Sequence, residues 1–113
     1  MKNEQQLHAA CTIWAHNTHP NLRKNWWHVP NGGTRNMAEA RQFKSMGVKR
    51  GIYDLHCYYR GQFTIIEFKS HTGTLSQEQK EWAKEMQLQG ANAYTCNNME
   101  RFKEIFLQTF NIT

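Results

Sequence analysis

Disulfide staples are the first thing this sequence lacks. Cys11, Cys57 and Cys96 are odd in number, lie far apart and form no C-x-x-C, which excludes a disulfide framework, a disulfide-linked partner and a Cys-rich zinc site. Such thiols suit a reducing cytoplasm. Long apolar runs are also missing: no window of about eighteen apolar residues occurs, so no membrane span is expected. The stretch Met1-Lys2-Asn3-Glu4-Gln5-Gln6 carries no apolar segment behind a basic cap, so no standard secretory signal is expected either. Acidic residues are in short supply, nine against fourteen Lys and Arg, and the resulting charge of +5 favours an anionic partner, nucleic acid first. Repeats, low-complexity tracts and linkers are absent, and 113 residues with six Phe, four Trp and four Tyr are enough for one domain, 1–113, with one core.

What is present alternates between helical and extended patterns. Leu7, Ala10, Cys11 and Trp14 recur at helical spacing over Glu4–His16, with Asn3 as N-cap. Residues 17–24 read as a loop, Trp26–Val29 as a short strand, and Pro30-Asn31-Gly32-Gly33 as a turn. Asn36–Met46 predicts a second, polar helix with Met37, Ala40, Phe43 and Lys44 along one side, closed by Gly47. Ile52–Tyr59 and Gln62–Lys69 are β-rich runs joined across Arg60-Gly61, a hairpin signal. A third helix from Ser76 to Gly90, a buried strand over Ala91–Cys96 and a fourth helix presenting Met99, Phe102, Ile105 and Phe106 complete the chain.

The hairpin carries the chemistry. If it turns through two residues, or symmetrically through four, opposed residue numbers sum to 121; Asp54 then faces Glu67, Ile52 faces Lys69, and strand alternation puts Asp54, Glu67 and Lys69 on one face. A three-residue loop with a bulge at Gly61 would instead pair residues summing to 120 and turn Glu67 to the other face. In the first register two like charges meet, which calls for a cation. Mg²⁺, or Mn²⁺, takes one or two carboxylates in an oxygen octahedron, here Asp54 and Glu67, with the Phe68 carbonyl as a third oxygen. Such an ion activates a phosphodiester and a water, while Lys69 holds the nucleophile or balances charge at phosphorus. Taken alone, Glu67-x-Lys69 is an ordinary surface ion pair.

The order of motifs resembles the virus-type replication-repair nuclease (VRR-NUC) family of the PD-(D/E)XK nucleases, often met in phages. The likeness covers most of the chain: the helix with Glu4, His28-Val29-Pro30-Asn31-Gly32-Gly33 with Arg35, Met46-Gly47 leading to Gly51-Ile52-Tyr53-Asp54-Leu55, Ile66-Glu67-Phe68-Lys69-Ser70, and Leu75-Ser76 followed by Gln79. It implies an α/β fold, a single compact restriction-endonuclease-like domain with a small mixed β-sheet and a central hairpin flanked by helices. It further implies Mg²⁺ or Mn²⁺ ligated at Asp54 and Glu67, catalysis by Lys69, cleavage of DNA, a homodimer, and for a phage protein the host cytoplasm. Tyr53 departs from the pattern, because the family usually has proline before the aspartate.

The outlying positions each have a plainer reading. Ser76-x-x-Gln79 is also a capping box, although Gln79 shares the stripe of Trp82 and Met86 and so points toward the sheet. Glu4 in a first helical turn serves the helix dipole, yet it aligns with Leu7, Cys11 and Trp14 and matches the family's acid there. Arg35, Arg41, Lys44, Lys49 and Arg50 are the expected phosphate-binding residues, the alternative being a solvated polar face. The six histidines are assigned to surface or turn positions, with His28 and His71 close enough to matched segments to meet phosphate. The reading to set against the enzyme is a basic nucleic-acid-binding module that keeps the nuclease fold without cleaving.

Overall fold

The computed structural model describes residues 3–30 and 36–113. Helix α1 (Glu4–Thr18) begins at a reciprocal cap: the Asn3 side chain accepts from the Gln6 N–H at 2.8 Å, and Gln6 accepts from the Asn3 N–H at 3.1 Å. Leu7, Cys11 and Ala15, spaced by four, are its buried stripe. The segment expected as a loop is a 3₁₀ helix, Pro20–Asn25, with Pro20 at its start and Leu22 buried. It leads into strand β1 (Trp26–His28).

Helix α2 (Met37–Ser45) follows, then strands β2 (Leu55–Tyr59) and β3 (Gln62–Phe68), helix α3 (Gln77–Leu88), strand β4 (Asn92–Cys96) and helix α4 (Met99–Thr109). The sheet runs β1-β2-β3-β4, antiparallel except for β3 with β4, which are parallel and joined through α3. Arg60 at φ 49° and Gly61 at φ 82° form a two-residue turn with positive φ at both positions, whose twist suits a tight hairpin. Register follows from it: Leu55 pairs with Ile66, Cys57 with Thr64 and Tyr59 with Gln62, each pair summing to 121.

Alternation then sorts the side chains. Leu55, Cys57, Ile66 and Phe68 face α1 and α4, where Phe102, Ile105, Phe106 and Phe110 close the main core; Tyr53 and Ile65 face α3 and pack with Ala83 and Trp82. Burying each of the large α4 side chains stabilises the fold by about 1.5–3 kcal/mol, so this helix holds the sheet's back.

Two further expectations are corrected. The β2 ladder starts at Leu55 rather than Ile52, and the Ile52–Lys69 pair does not form. Gly51 at φ +83° brings the chain so close to the first turn of α3 that a Cβ there would overlap the Glu78 carbonyl, and the Lys69 N–H bonds the Cys96 carbonyl of β4 at 2.9 Å. Strand β4 is a partly exposed sheet edge rather than a buried strand, with Cys96 its only fully buried residue. Helix α2 buries none of its residues: Met37 is 74% exposed, and Phe43 is only half-buried. No helix among the described residues is long and apolar enough to cross a membrane.

Candidate active site

Where the β2–β3 ladder ends, side chains replace the main chain. The Asp54 N–H donates to Glu67 Oε1 at 3.1 Å, and the Phe68 N–H donates to Asp54 Oδ2 at 3.0 Å. These two bonds tie Asp54 to Glu67 and Phe68 across the hairpin in the register set by the Arg60-Gly61 turn. The other Glu67 oxygen, Oε2, accepts from Gln79 Nε2 at 2.9 Å and lies 3.4 Å from Lys69 Nζ. Asp54, Glu67, Lys69 and Gln79 thus form one connected group.

Gln79 serves two structures at once. Its Oε1 accepts from the Ser76 N–H at 2.9 Å, completing the capping box that starts α3, while its Nε2 faces Glu67. A single amide has the donor and the acceptor for both tasks. Tyr53, in the position of the family's proline, is buried with its ring 5.6 Å from Trp82, beside Ile65 and Ala83. Packing of that ring fixes the approach to Asp54 where a pyrrolidine would otherwise do so. The imidazole of His56 stacks on the same Trp82 at 5.5 Å and bonds the Tyr53 carbonyl through Nε2 at 3.1 Å.

Burial and the neighbouring Asp54 push the Glu67 carboxyl up to about 7, with Lys69 opposing them. In the metal-free protein this has a defined sign. Between about pH 4.5 and 7 the folded chain keeps a proton on Glu67 that the unfolded chain has released, so the stability this carboxyl contributes is fully present below about 4.5 and is lost as pH rises through 7. Thermal melts in EDTA are expected to show Tm falling across that window in the wild type more steeply than in Glu67→Gln; equal slopes would refute the assignment.

Of the predicted phosphate-binding residues, Arg50 lines the same cleft as Asp54, Glu67 and Gln79. Arg41 and Lys44 on α2, and Lys49 after it, are exposed, and Arg35 lies outside the described residues. Glu4 is half-buried in the first turn of α1 and makes no hydrogen bond or ion pair with Asp54, Glu67 or Lys69. On the other side of Lys69 an open cleft is lined by His71, Lys80 and Arg101, and the latter two cations went unnoticed in the sequence.

One turn beyond Glu4, His8 meets a second histidine. Among the described residues, ligand atoms of His8, His28 and Asp54 lie within 4.8 Å of one another, an arrangement able to hold a metal ion. His8 was not singled out from sequence. Its spacing of four from Glu4 was the available signal, but the partner histidine stands twenty residues away on β1.

A mixed four-stranded sheet between helices, with two acids and a lysine gathered at the end of its central hairpin, defines a nuclease-type α/β domain. The chain belongs to the VRR-NUC domain family, a nuclease family, whose sequence model matches residues 2–100. A solved structure described as a VRR_NUC domain protein superposes with a TM-score of 0.80 at 21% identity, covering 99% of this chain and 91% of that one. No curated protein sequence matches significantly.

Proposed function

We propose that the domain hydrolyses DNA phosphodiester bonds with Mg²⁺ or Mn²⁺ held by Asp54, Glu67 and the Phe68 carbonyl. The observation that carries this reading is the pair of bonds at the end of the hairpin, the Asp54 N–H to the Glu67 carboxylate and the Phe68 N–H to the Asp54 carboxylate, with Lys69 and Gln79 on the Glu67 carboxylate. The donor set fits a hard dication: two carboxylates meet, and Glu67 is driven toward its neutral form unless positive charge is brought close. When bound, such an ion supplies Lewis-acid activation of the phosphate and of water.

The protein's own groups do the rest. Gln79 fixes the rotamer of Glu67 from the start of α3, so that carboxylate is aimed before substrate arrives. Lys69, tethered beside Glu67, places an ammonium where charge builds on the phosphate oxygens and where an attacking water can be oriented. Arg50 at the cleft, with Arg35, Arg41, Lys44 and Lys49, holds flanking phosphates, and Lys80 and Arg101 extend that track beyond Lys69. These contacts read the backbone rather than bases, and a preference for structured or branched DNA enters the proposal only through the dimer geometry. Glu4 belongs to the proposal through its place on α1, and a homodimer through the family resemblance.

Supercoiled plasmid and branched DNA incubated with the protein and Mg²⁺ or Mn²⁺ test the reading. Nicking that stops with EDTA and is absent in Asp54→Ala is expected. DNA binding without cleavage under either metal would reject the enzyme in favour of a non-catalytic binding module.

A further inference from the structure

We propose that His8, His28 and Asp54 form a second metal position, suited to a transition-metal dication such as Co²⁺ or Zn²⁺ rather than Mg²⁺. The three residues come from separate parts of the fold: α1, β1 and the approach to β2. Their ligand atoms lie within 4.8 Å of one another, and donors bound to one ion at about 2.1 Å stand about 3.3 Å apart, so small side-chain rotations complete the site.

The ring of His28 is held by the main chain. Its Nδ1 is 2.7 Å from the Asp54 carbonyl oxygen, and because a carbonyl only accepts, Nδ1 is the donor, which in a neutral ring makes Nε2 the nitrogen with the lone pair. A backbone carbonyl holding the far nitrogen is the usual outer support of a metal-bound imidazole. The Val29 N–H bonds the same carbonyl at 3.0 Å, which fastens Asp54 to β1.

His8 is held by rings. It stacks on Phe68 with centroids 4.5 Å apart and meets His28 edge-on, also at 4.5 Å. His28 is exposed and Asp54 half-buried, which leaves room for water to complete the coordination. Two imidazoles with one carboxylate match Co²⁺, Ni²⁺ and Zn²⁺, whereas Mg²⁺ prefers oxygen throughout.

The position is separate from the one proposed for hydrolysis. His28 pairs with Leu55 and so shares the α1 face of the sheet, while Glu67 is bonded to Gln79 of α3. Asp54 alone belongs to both. Occupancy of the histidine position therefore bears on the nuclease site through one carboxylate.

Metal-stripped protein comprising residues 1–113 and titrated with Co²⁺ tests this without reading cleavage at all. Visible absorption bands saturating at one Co²⁺ per chain are expected, displaced by Zn²⁺ and unaffected by a large excess of Mg²⁺. His8→Asn and His28→Asn should each weaken Co²⁺ binding by more than about tenfold, whereas Glu67→Gln should retain it. Should a histidine variant fail to fold, NMR of the wild type decides: Zn²⁺ should shift the imidazole signals of two of the six histidines, His8 and His28. No saturable Co²⁺ binding, binding equally lost in Glu67→Gln, or Zn²⁺ shifts at other histidines would each overturn the proposal. Because these readouts are of Co²⁺ and Zn²⁺ binding, their outcome does not decide whether Mg²⁺ supports cleavage.

Discussion

Lys69→Ala is expected to lower the single-turnover rate of DNA cleavage by about 10²- to 10³-fold, the usual consequence of removing one aimed donor from a site where charge develops. Two effects add in the same direction. The ammonium at 3.4 Å from Glu67 Oε2 is lost from the reacting phosphate, and the group that draws the Glu67 pKa down is lost with it. Glu67 in the variant should therefore need a higher pH to ionise, and the rising limb of the pH–rate profile should move to alkaline pH. The fold should survive, since the Lys69 N–H keeps its bond to Cys96. A variant rate within tenfold of wild type at every pH would remove Lys69 from the chemistry.

Gly51→Ala is expected to unfold or loosen the protein by about 2–4 kcal/mol, combining backbone strain at positive φ with overpacking. A Cβ at Gly51 would run into the Glu78 carbonyl and crowd the Gln79 N–H at 3.0 Å, both of them backbone groups that cannot rotate aside. The displaced first turn of α3 carries Gln79, so cleavage should fall in whatever fraction remains folded. Gly47→Ala is the control: its φ of +93° is equally unsuited to alanine, but a Cβ there meets nothing within 4 Å. Chemical denaturation should show Gly47→Ala losing only the strain, about 1 kcal/mol, and Gly51→Ala distinctly more. Equal losses would show that the close approach to α3 is not what requires glycine.

The parts of this fold that could be read from sequence are those decided by neighbours along the chain. Apolar spacing places Leu7, Cys11, Phe102 and Phe106 on helix faces that are buried, and Asn3 and Ser76 stand at the helix starts they cap. The Arg60-Gly61 turn is local too, and it alone fixes which residues of β2 and β3 are opposed. What was misread depends on tertiary contact. The Ile52–Tyr53 stretch alternates like a strand, but Gly51 is drawn under α3 and the side chain of Asp54 takes the bond a ladder carbonyl would accept. The 3₁₀ helix has one buried residue, Leu22, too few to leave a periodic signal. Strand β4 is apolar enough to be central, yet nothing in its own residues says that it ends up at the edge. His8 and His28 meet only because α1 crosses the end of the sheet, and that crossing is invisible to spacing.

The solvent-exposed turn at Arg60-Gly61 lies at the opposite end of the hairpin from Asp54, five residue pairs away. Its length nevertheless acts on the distant carboxylates as a parity rule. One inserted residue that shifts the pairing by one would exchange odd for even along β3, aiming Phe68 at Gln79 and driving Glu67 among the aromatic rings beneath α1 and α4. Two inserted residues would keep the partners in step. The evolutionary freedom of this loop is therefore quantised: lengthening by twos is compatible with the acid pair, while a single insertion that shifts the pairing erases it without altering any residue at the site.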